Sequence, residues 1–410
     1  MTTLAREIPP PTALEATLRK ITEVLAKELA CPTQHAPGWS DFEWCVARAV
    51  AAMHGVSPLL SQTLRWQGPA SWVRFLVEQR AHTAKRHMRI DALLDLIDRR
   101  AREAGVAAIA LKGAALHELG VYKAGDRPMA DIDLLVRPAD AEDTAGLLKS
   151  LGFHESGKSW KERVFTPIDD QRPGELGEHS NNNIKIELHE RICERLPWRI
   201  TDLSELLFPP RPHPGLNAYS SKSSLMTHLL FHAAGAMPTR TLRLLHLHDL
   251  AKLSSRMTAF DWDEVVDRGE RGHRFWWAFP PMELTSRYYP SAIPSRVLAS
   301  FAQMCPWLLT RISLRRTLYD VSLSYLWVEA FPGIEWSQSI RELLNYTASR
   351  VWPSTQHVAQ RELLAKTEGW GSQGRWTRLS QSRRVVRWMT SHPPRPVTMH
   401  ALRAALARAQ

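Results

Sequence analysis

The segment Arg127-Pro128-Met129-Ala130-Asp131-Ile132-Asp133-Leu134-Leu135-Val136 predicts a turn that leads into a β-strand with two carboxylates one residue apart. Side chains alternate along a strand, so the two aspartates share a face with Leu135. Two residues of strand separate their backbones by about 6.5–7 Å, close enough for both carboxylates to reach one divalent cation or a pair ~3.5–4 Å apart. Two negative charges on a half-buried face repel unless a cation lies between them, so the pattern favours a metal site over a solvated strand edge.

A second strand supplies a third acid. In Ile184-Lys185-Ile186-Glu187-Leu188-His189 apolar and polar residues alternate, which places Glu187 and His189 on the polar face. If this strand lies beside the first, Glu187 joins the aspartates, and three oxygen donors suit Mg²⁺. Glu178 and Glu190 are the other glutamates near this position.

A turn upstream carries a lysine and a glycine. The apolar run 106–111 predicts a strand, and the pattern 112–119 predicts a helix that begins at Lys112-Gly113. A glycine there lets the backbone approach a phosphate, and the helix start together with the lysine charge attracts an anion. Arg127 is a candidate phosphate clamp, or simply an ion-pair partner of Asp126 or Asp131.

Lys112-Gly113, the stretch 127–136 and Glu187 before Leu188-His189 resemble, in this order, the uncharacterised nucleotidyltransferase family of the DNA-polymerase-β-like superfamily. The resemblance is strongest over residues 105–190. It implies that Asp131, Asp133 and Glu187 are the catalytic and metal-binding residues. It also implies two Mg²⁺ ions, with Mn²⁺ as a substitute, and an NTP substrate.

The same resemblance implies a nucleotide-binding set made of Lys112, Gly113, Ala114, Arg127 and His189. Ala114 stands where many relatives have serine, so a hydroxyl contact to phosphate is missing and Lys112 is expected to compensate. His189 is alternatively a half-buried histidine with a structural hydrogen bond.

The implied reaction moves an NMP from an NTP to an acceptor hydroxyl and releases pyrophosphate. Relatives with this core act on peptides or proteins, small molecules and RNA ends, and the sequence does not choose among them. A different class of protein also fits: a non-catalytic module that binds a nucleotide or a partner. The presence of all three acids argues against that alternative.

Composition excludes several classes of protein. The chain has 410 residues, 44% of them apolar, which is enough for two or three domains with a sizeable core. We expect no transmembrane helix and, because the N-terminus lacks an apolar signal core, a cytoplasmic location. The 4 cysteines are scattered, so neither a zinc site nor a disulfide framework is predicted.

Positive charge is concentrated near the C-terminus. The net charge is +11, and residues 371–410 contain eight arginines and no acidic residue. A basic tail of this kind predicts a local partner, which we expect to be RNA, a peptide or acidic protein, or a membrane surface. Trp376 and Trp388 interleave with the arginines, where they can stack on bases or, as we favour, cover the helical core.

Periodicity predicts an α+β fold: a small mixed sheet forming the nucleotidyltransferase core, flanked by N-terminal and C-terminal helical regions. The predicted boundaries are 1–104 (N-terminal helices), 105–200 (core), 201–370 (helical accessory domain) and 371–410 (basic tail). Asp41 is expected to cap the second helix. Helices are predicted over 12–29, 41–53, 72–104 (as one or two), 138–151, 225–234, 242–253, 263–267 and 311–329. The polar stretch 167–183 is predicted to be a loop that covers the nucleotide or is disordered.

A histidine cluster supports a competing enzyme class. His228 and His232 are four residues apart on one helical face, with His246, His248 and Asp249 nearby, a set that also suggests a metal-dependent phosphohydrolase. Histidines in such apolar helices more often pack or hydrogen-bond. The family resemblance places Asp249 behind the nucleotide cleft and makes Arg240 and Arg243 candidates for contacts with triphosphate or acceptor.

Overall fold

A computed structural model describes residues 9–168, 176–196, 199–270, 275–354 and 379–407. Its centre is a mixed six-stranded sheet with the strand order β3-β4-β5-β2-β1-β8. The strands are β1 (Ala107–Ala110), β2 (Asp131–Val136), β3 (Phe153–Lys158), β4 (Glu162–Pro167), β5 (Lys185–His189) and β8 (Gly215–Asn217); β6 (Cys193–Leu196) and β7 (Arg199–Asp202) form a separate hairpin. The predicted α+β class is confirmed.

Helices precede, interrupt and follow the sheet. Before and within it lie α1 (Pro11–Ala30), α2 (Asp41–Met53), α3 (Ser57–Thr63), α4 (Ala70–Glu103), α5 (Gly113–Glu118), α6 (Ala141–Ser150) and α7 (Ser204–Leu207). After it come α8 (Lys222–Ala236), α9 (Leu244–Ser254), α10 (Ala259–Arg268), α11 (Phe279–Tyr288), α12 (Ser295–Met304), α13 (Trp307–Ser313), α14 (Leu318–Val321), α15 (Ile340–Val351) and the helices Gln381–Thr390 and Pro396–Ala407.

Each face of the sheet belongs to a different hydrophobic core. Ile132, Leu134 and Val136 of β2 pack with α4 and α6 residues in one core. Leu135 belongs instead to the larger core that contains the helical body. The period-two alternation predicted for β2 is therefore confirmed. The face that carries the aspartates is turned toward the helical body.

The N-terminal and C-terminal helical regions share one core. Thr22 of α1 donates a hydrogen bond to Ser324 at 2.8 Å, and Arg48 of α2 contacts the carbonyl of Ala405 in the last described helix. The last strand of the sheet, β8, is contributed by residues beyond position 200 and pairs with β1 in parallel. The sheet is thus clamped between segments distant in sequence.

Two local predictions were wrong. Ser40, not Asp41, caps α2, because its hydroxyl accepts the N–H of Glu43 while the Glu43 carboxylate accepts the N–H of Ser40. Residues 311–329 do not form one helix: α13 ends at Ser313, and α14 covers only Leu318–Val321. After α14 the backbone turns to pair with Leu242, which accepts the N–H of Leu323 at 3.2 Å.

The loop predicted over 167–183 is described in part, since residues 169–175 lie outside the described ranges. The part that follows is docked on α4. Gln79 donates to the carbonyl of Glu178 at 3.0 Å and accepts the N–H of Glu178 at 2.7 Å. Among the helices that the structure describes, none combines the length and apolar character needed to cross a bilayer.

Candidate active site

Two neighbouring strands bring the predicted acids together. β2 and β5 pair in parallel, with Asp133 directly opposite Glu187 and Asp131 opposite Lys185. All three acids line a cavity of about 280 Å³ between the sheet and helices α8 and α9. Glu178 instead contacts Arg86, 3.5 Å away. The placement of Glu187 is the one that the alternating pattern predicted.

Arg86 of α4 fixes the backbone segments that precede β2 and β5. Arg86 is 2% exposed, and its guanidinium donates to the carbonyls of Met129 and Ala130 before β2 and to those of Asn182 and Asn183 before β5, over 2.6–2.9 Å. Four backbone acceptors on one planar cation hold the two chain segments at a fixed separation. The relative position of the acids therefore depends on α4 as well as on the sheet ladder.

The Lys112 turn supplies a cation to the acids. The ammonium of Lys112 lies 2.8 Å from Oδ1 of Asp133. The backbone of Lys112 has φ +49°, which is strained for a residue with a side chain. Its N–H donates to the hydroxyl of Tyr219 at 3.1 Å, and that hydroxyl lies 2.8 Å from Nδ1 of His228. Tyr219 and His228 thus support the strained turn from the helical body.

Gly113 and Arg127 form the opposite wall. The Arg127 guanidinium makes two hydrogen bonds to the Asp249 carboxylate, at 2.9 and 2.8 Å, and Tyr122 donates to the same carboxylate at 2.8 Å. A Cβ at Gly113 would lie 2.3 Å from a guanidinium nitrogen of Arg127, so only glycine fits there. The partner of Arg127 is Asp249 rather than Asp126 or Asp131, and the guanidinium is held as part of the wall.

The pKa values of the three acids are shifted in different directions by their surroundings. Burial raises the pKa of Asp131 and of Glu187, the other carboxylates raise both further, and the net rise is larger for Glu187. Burial opposes ionisation of Asp133 too, but the Lys112 charge and the His189 hydrogen bond outweigh it and lower its pKa. Burial alone would lower the pKa of Lys112, yet the charges of Asp133, Glu187 and Asp131 raise it. A buried cluster with this imbalance of acids over cations favours an additional cation.

The donor set also fits a metal. Among the residues that the structure describes, Asp133, Glu187 and His189 are the one group of three potential ligands whose donor atoms lie within 4.8 Å of one another. Nε2 of His189 is 3.1 Å from Oδ1 of Asp133 and 3.9 Å from Oε2 of Glu187. His189 therefore faces the acids, while Ala114 lines the cavity beside Gly113.

The two arginines before α9 have different surroundings. Arg240 is buried, forms a 2.7 Å ion pair with Glu329 and lies over the Tyr325 ring, so it belongs to the helical body. Arg243 lines the cavity, and its charge offsets part of the rise in the pKa of Asp131. Of the two, only Arg243 is placed to meet a ligand there.

The residues suggested as a phosphohydrolase site do not form one cluster. Nδ1 of His228 contacts Tyr219, that of His248 lies 3.0 Å from the Tyr289 hydroxyl, and Asp249 is engaged by Arg127. The rings of His232 and His246 meet edge to face, with centroids 4.8 Å apart, and line the cavity. Within the described ranges these five residues form no group with metal-ligand spacing, so this interpretation was wrong.

Part of the basic tail packs into the protein. Trp388 lies beside Phe331 and under the Arg350 guanidinium, as expected for a residue that covers the helical core. Arg395 donates to the carbonyls of Arg240 and Ser322. Trp376 lies outside the described residues.

Sequence reasoning missed Arg86 and Tyr219, because neither sits in a motif. Both act through partners about a hundred residues away, 97 positions for Arg86 and Asn183 and 107 for Tyr219 and Lys112. The positive φ at Lys112 could not be anticipated either, since lysine seldom adopts it.

The family model described as "Uncharacterised nucleotidyltransferase" matches residues 40–289, well over half of the chain. The match spans α2 to α11 and includes the whole sheet, the Lys112 turn, Asp249 and the wall formed by α8 and α9. No curated protein and no solved structure matches the chain.

Proposed function

Because the chain belongs to the uncharacterised nucleotidyltransferase family, we propose that it moves an NMP from an NTP to an acceptor hydroxyl, releases pyrophosphate and requires Mg²⁺. The observation that carries this proposal is the register of β2 and β5, which sets Asp133 opposite Glu187 with Asp131 two residues away. The order of the lysine-glycine turn and the three acids supports membership of the polymerase-β-like superfamily.

The residues present fit a divalent cation. Asp131, Asp133 and Glu187 offer carboxylate oxygens, which Mg²⁺ prefers, and the Lys112 ammonium already lies against Asp133 as a monovalent stand-in. His189 adds a nitrogen donor that Mn²⁺ accepts. When bound, the metal supplies Lewis acidity that polarises the α-phosphate and lowers the pKa of the acceptor hydroxyl.

Residues around the acids bind and orient the substrates. Arg243 and Lys112 face the cavity as cations for the triphosphate. Arg127, fixed by Asp249, keeps the wall beside Gly113 in place so that a phosphate can approach the backbone there. Glu187 serves as a metal ligand or accepts the proton of the attacking hydroxyl at a carboxylate oxygen, a role that suits its raised pKa.

Labelled nucleotides test the proposal. The purified protein is incubated with each α-labelled NTP and Mg²⁺, first alone and then with cell extract, and the labelled product is identified. We expect transfer of the α-label to one acceptor, release of unlabelled pyrophosphate, and neither after addition of EDTA. The acceptor that becomes labelled then defines the substrate class.

The matched control is the Asp133→Asn variant, which should fold and transfer nothing. Calorimetry supplies the opposing outcome: Mg²⁺-dependent NTP binding without pyrophosphate release in any extract would favour the non-catalytic alternative. Transfer that persists in EDTA or in Asp133→Asn would contradict the proposal.

A further inference from the structure

A second cavity opens beside the first. Its volume is about 310 Å³, and it shares His232, Ala236 and Thr241 with the cavity that contains the acids. We call it the Trp160 cavity, because its distinctive residues are Trp160, Lys161, Arg195 and Thr239. The shared wall is the C-terminal part of α8 and the start of the following loop. The two cavities therefore adjoin along this wall.

Trp160 presents a half-buried aromatic ring in the turn between β3 and β4. Nζ of Lys161 and the guanidinium carbon of Arg195 each lie 5.4 Å from the ring centroid. Cations at this distance are attracted by the ring and hold it in one orientation. A flat aromatic surface bordered by positive charge is the combination that nucleic-acid-binding proteins use for stacking a base.

Glu194 and Gly235 keep this arrangement in place. Glu194 forms an ion pair with Lys161, which holds the lysine against the ring. A Cβ at Gly235 would lie 2.5 Å from the Glu194 carboxylate, so the glycine in α8 makes room for that pair. With one acid for two cations, the cavity retains positive charge, and this favours a ligand that carries anionic groups, as a nucleotide does in its phosphates, over a cationic ligand.

We infer that the Trp160 cavity binds the base and ribose of the nucleotide donor, with the base stacked on Trp160 and the triphosphate directed toward Arg243 and Lys112. The inference rests on the proposed function, because it places one part of that substrate. The exposed hydroxyls of Thr239 and Thr241 lie beside the shared wall, where they can hydrogen-bond ribose or base edges. Binding of the acceptor in this cavity is the competing possibility.

Two probes separate the base from the phosphates. Non-hydrolysable α,β-methylene analogues of the common NTPs carry both parts, while inorganic tripolyphosphate lacks the base. Each is titrated by calorimetry with Mg²⁺ into the full-length wild type, Trp160→Ala and the ring-preserving control Trp160→Phe. Trp160→Leu, which keeps apolar volume without a ring, serves if the alanine variant does not fold.

We expect Trp160→Ala and Trp160→Leu to weaken binding of the preferred NTP analogue roughly 5- to 100-fold, the range measured for one stacked base. Trp160→Phe should stay within about threefold of wild type, and all variants should bind tripolyphosphate equally. NTP affinity unchanged in Trp160→Ala and Trp160→Leu, or an equal loss for tripolyphosphate, would overturn the inference while leaving the proposed function intact. A wild type that bound neither probe would instead overturn the proposed function itself.

Discussion

The Lys112 ammonium lies 2.8 Å from Oδ1 of Asp133, among three carboxylates from two adjacent strands. This cation relieves part of the mutual repulsion among Asp131, Asp133 and Glu187, and the pKa of Lys112 is raised in return. The lysine thus stabilises the acids when no metal is bound. Removing it should make the stability of the fold depend on an added cation.

The first prediction follows from that pair. Lys112→Met should lower the free energy of unfolding in EDTA by about 2–4 kcal/mol, because buried carboxylates lose their partner. Mg²⁺ should raise its melting temperature more than that of wild type. The control Lys20→Met removes an exposed partner of Glu43 and should cost less than about 1 kcal/mol, with or without Mg²⁺. Equal Mg²⁺ responses in Lys112→Met and wild type would contradict this account.

The second prediction concerns Tyr219, a positioning residue. Tyr219→Phe removes the acceptor of the Lys112 N–H, at a backbone position that is already strained. We expect kcat to fall about tenfold with little change in the KM for NTP, because the turn beside Asp133 relaxes. Tyr346→Phe loses a hydrogen bond to the Pro332 carbonyl. Like Tyr219→Phe, it should lower the free energy of unfolding by about 1–2 kcal/mol, but it should not change kcat. A kcat effect of equal size in both variants would show that Tyr219 is merely structural.

The third prediction addresses the buried pair of Arg127 and Asp249. Replacing either partner, as in Arg127→Met or Asp249→Asn, leaves a buried group uncompensated and should destabilise the protein by about 3–5 kcal/mol. The exposed pair of Arg100 and Glu103 is a matched control, and Arg100→Met should cost less than about 0.5 kcal/mol. Chemical denaturation measures both. A loss below about 1 kcal/mol for Arg127→Met would mean that the pair is solvated in the native protein.

The fourth prediction is a pH dependence at His54. Nδ1 of His54 accepts the N–H of Leu244 at 2.8 Å, and burial, followed by the nearby Arg243 charge, lowers its pKa to about 3. In the unfolded chain the pKa of His54 is about 6.5. The stabilisation that the neutral, hydrogen-bonded His54 gives the fold is therefore complete above that pH and is lost as the pH falls toward 3. Over that window the unfolded state binds a proton that the native state does not.

The measurement is the free energy of unfolding of wild type and His54→Asn at pH 7, 6 and 5. The free energy of unfolding of wild type should exceed that of His54→Asn by less at each lower pH. The difference should shrink by about 1 kcal/mol per pH unit below 6.5, since one pKa unit corresponds to ~1.4 kcal/mol. Other buried histidines add the same trend to both proteins and cancel in the difference. A constant difference across this range would mean that His54 titrates normally in the folded protein.

Local patterns in the sequence predicted the strands that carry the acids and most of the helices. Polar and apolar residues alternate throughout β5 and in the first four residues of β2, so the faces of Asp133 and Glu187 followed directly. Residues 311–329 misled the same reasoning, because their periodicity resembles a helix while the backbone after α14 is drawn into hydrogen bonds with Leu242. Local preference lost there to a tertiary contact.

Hydrogen-bond and ion-pair partners that are distant in the chain could not be predicted from the sequence. Arg127 lies next to Asp126 in the chain, yet its carboxylate partner is Asp249, 122 positions away. The clamp that Arg86 forms on the entrances to both strands follows from the docking of α4, which no single segment encodes. The ion-pair partner of a charged residue depends on the geometry of the whole fold. A partner assigned by proximity in sequence, as for Arg127, is therefore often the wrong one.

Whether the acids of β2 and β5 carry the reaction is tested most directly by comparing transfer of the α-label from the preferred NTP in Mg²⁺ among wild type, Asp133→Asn, Glu187→Gln and Glu190→Gln. Glu190 follows β5 and does not line the cavity of the acids, so it controls for the loss of one nearby charge. We predict that Asp133→Asn and Glu187→Gln lose at least about a hundredfold in rate, equivalent to several kcal/mol, while Glu190→Gln transfers at nearly the wild-type rate and all variants give the circular dichroism spectrum of a folded protein. Transfer at the wild-type rate by folded Asp133→Asn or Glu187→Gln would contradict the account.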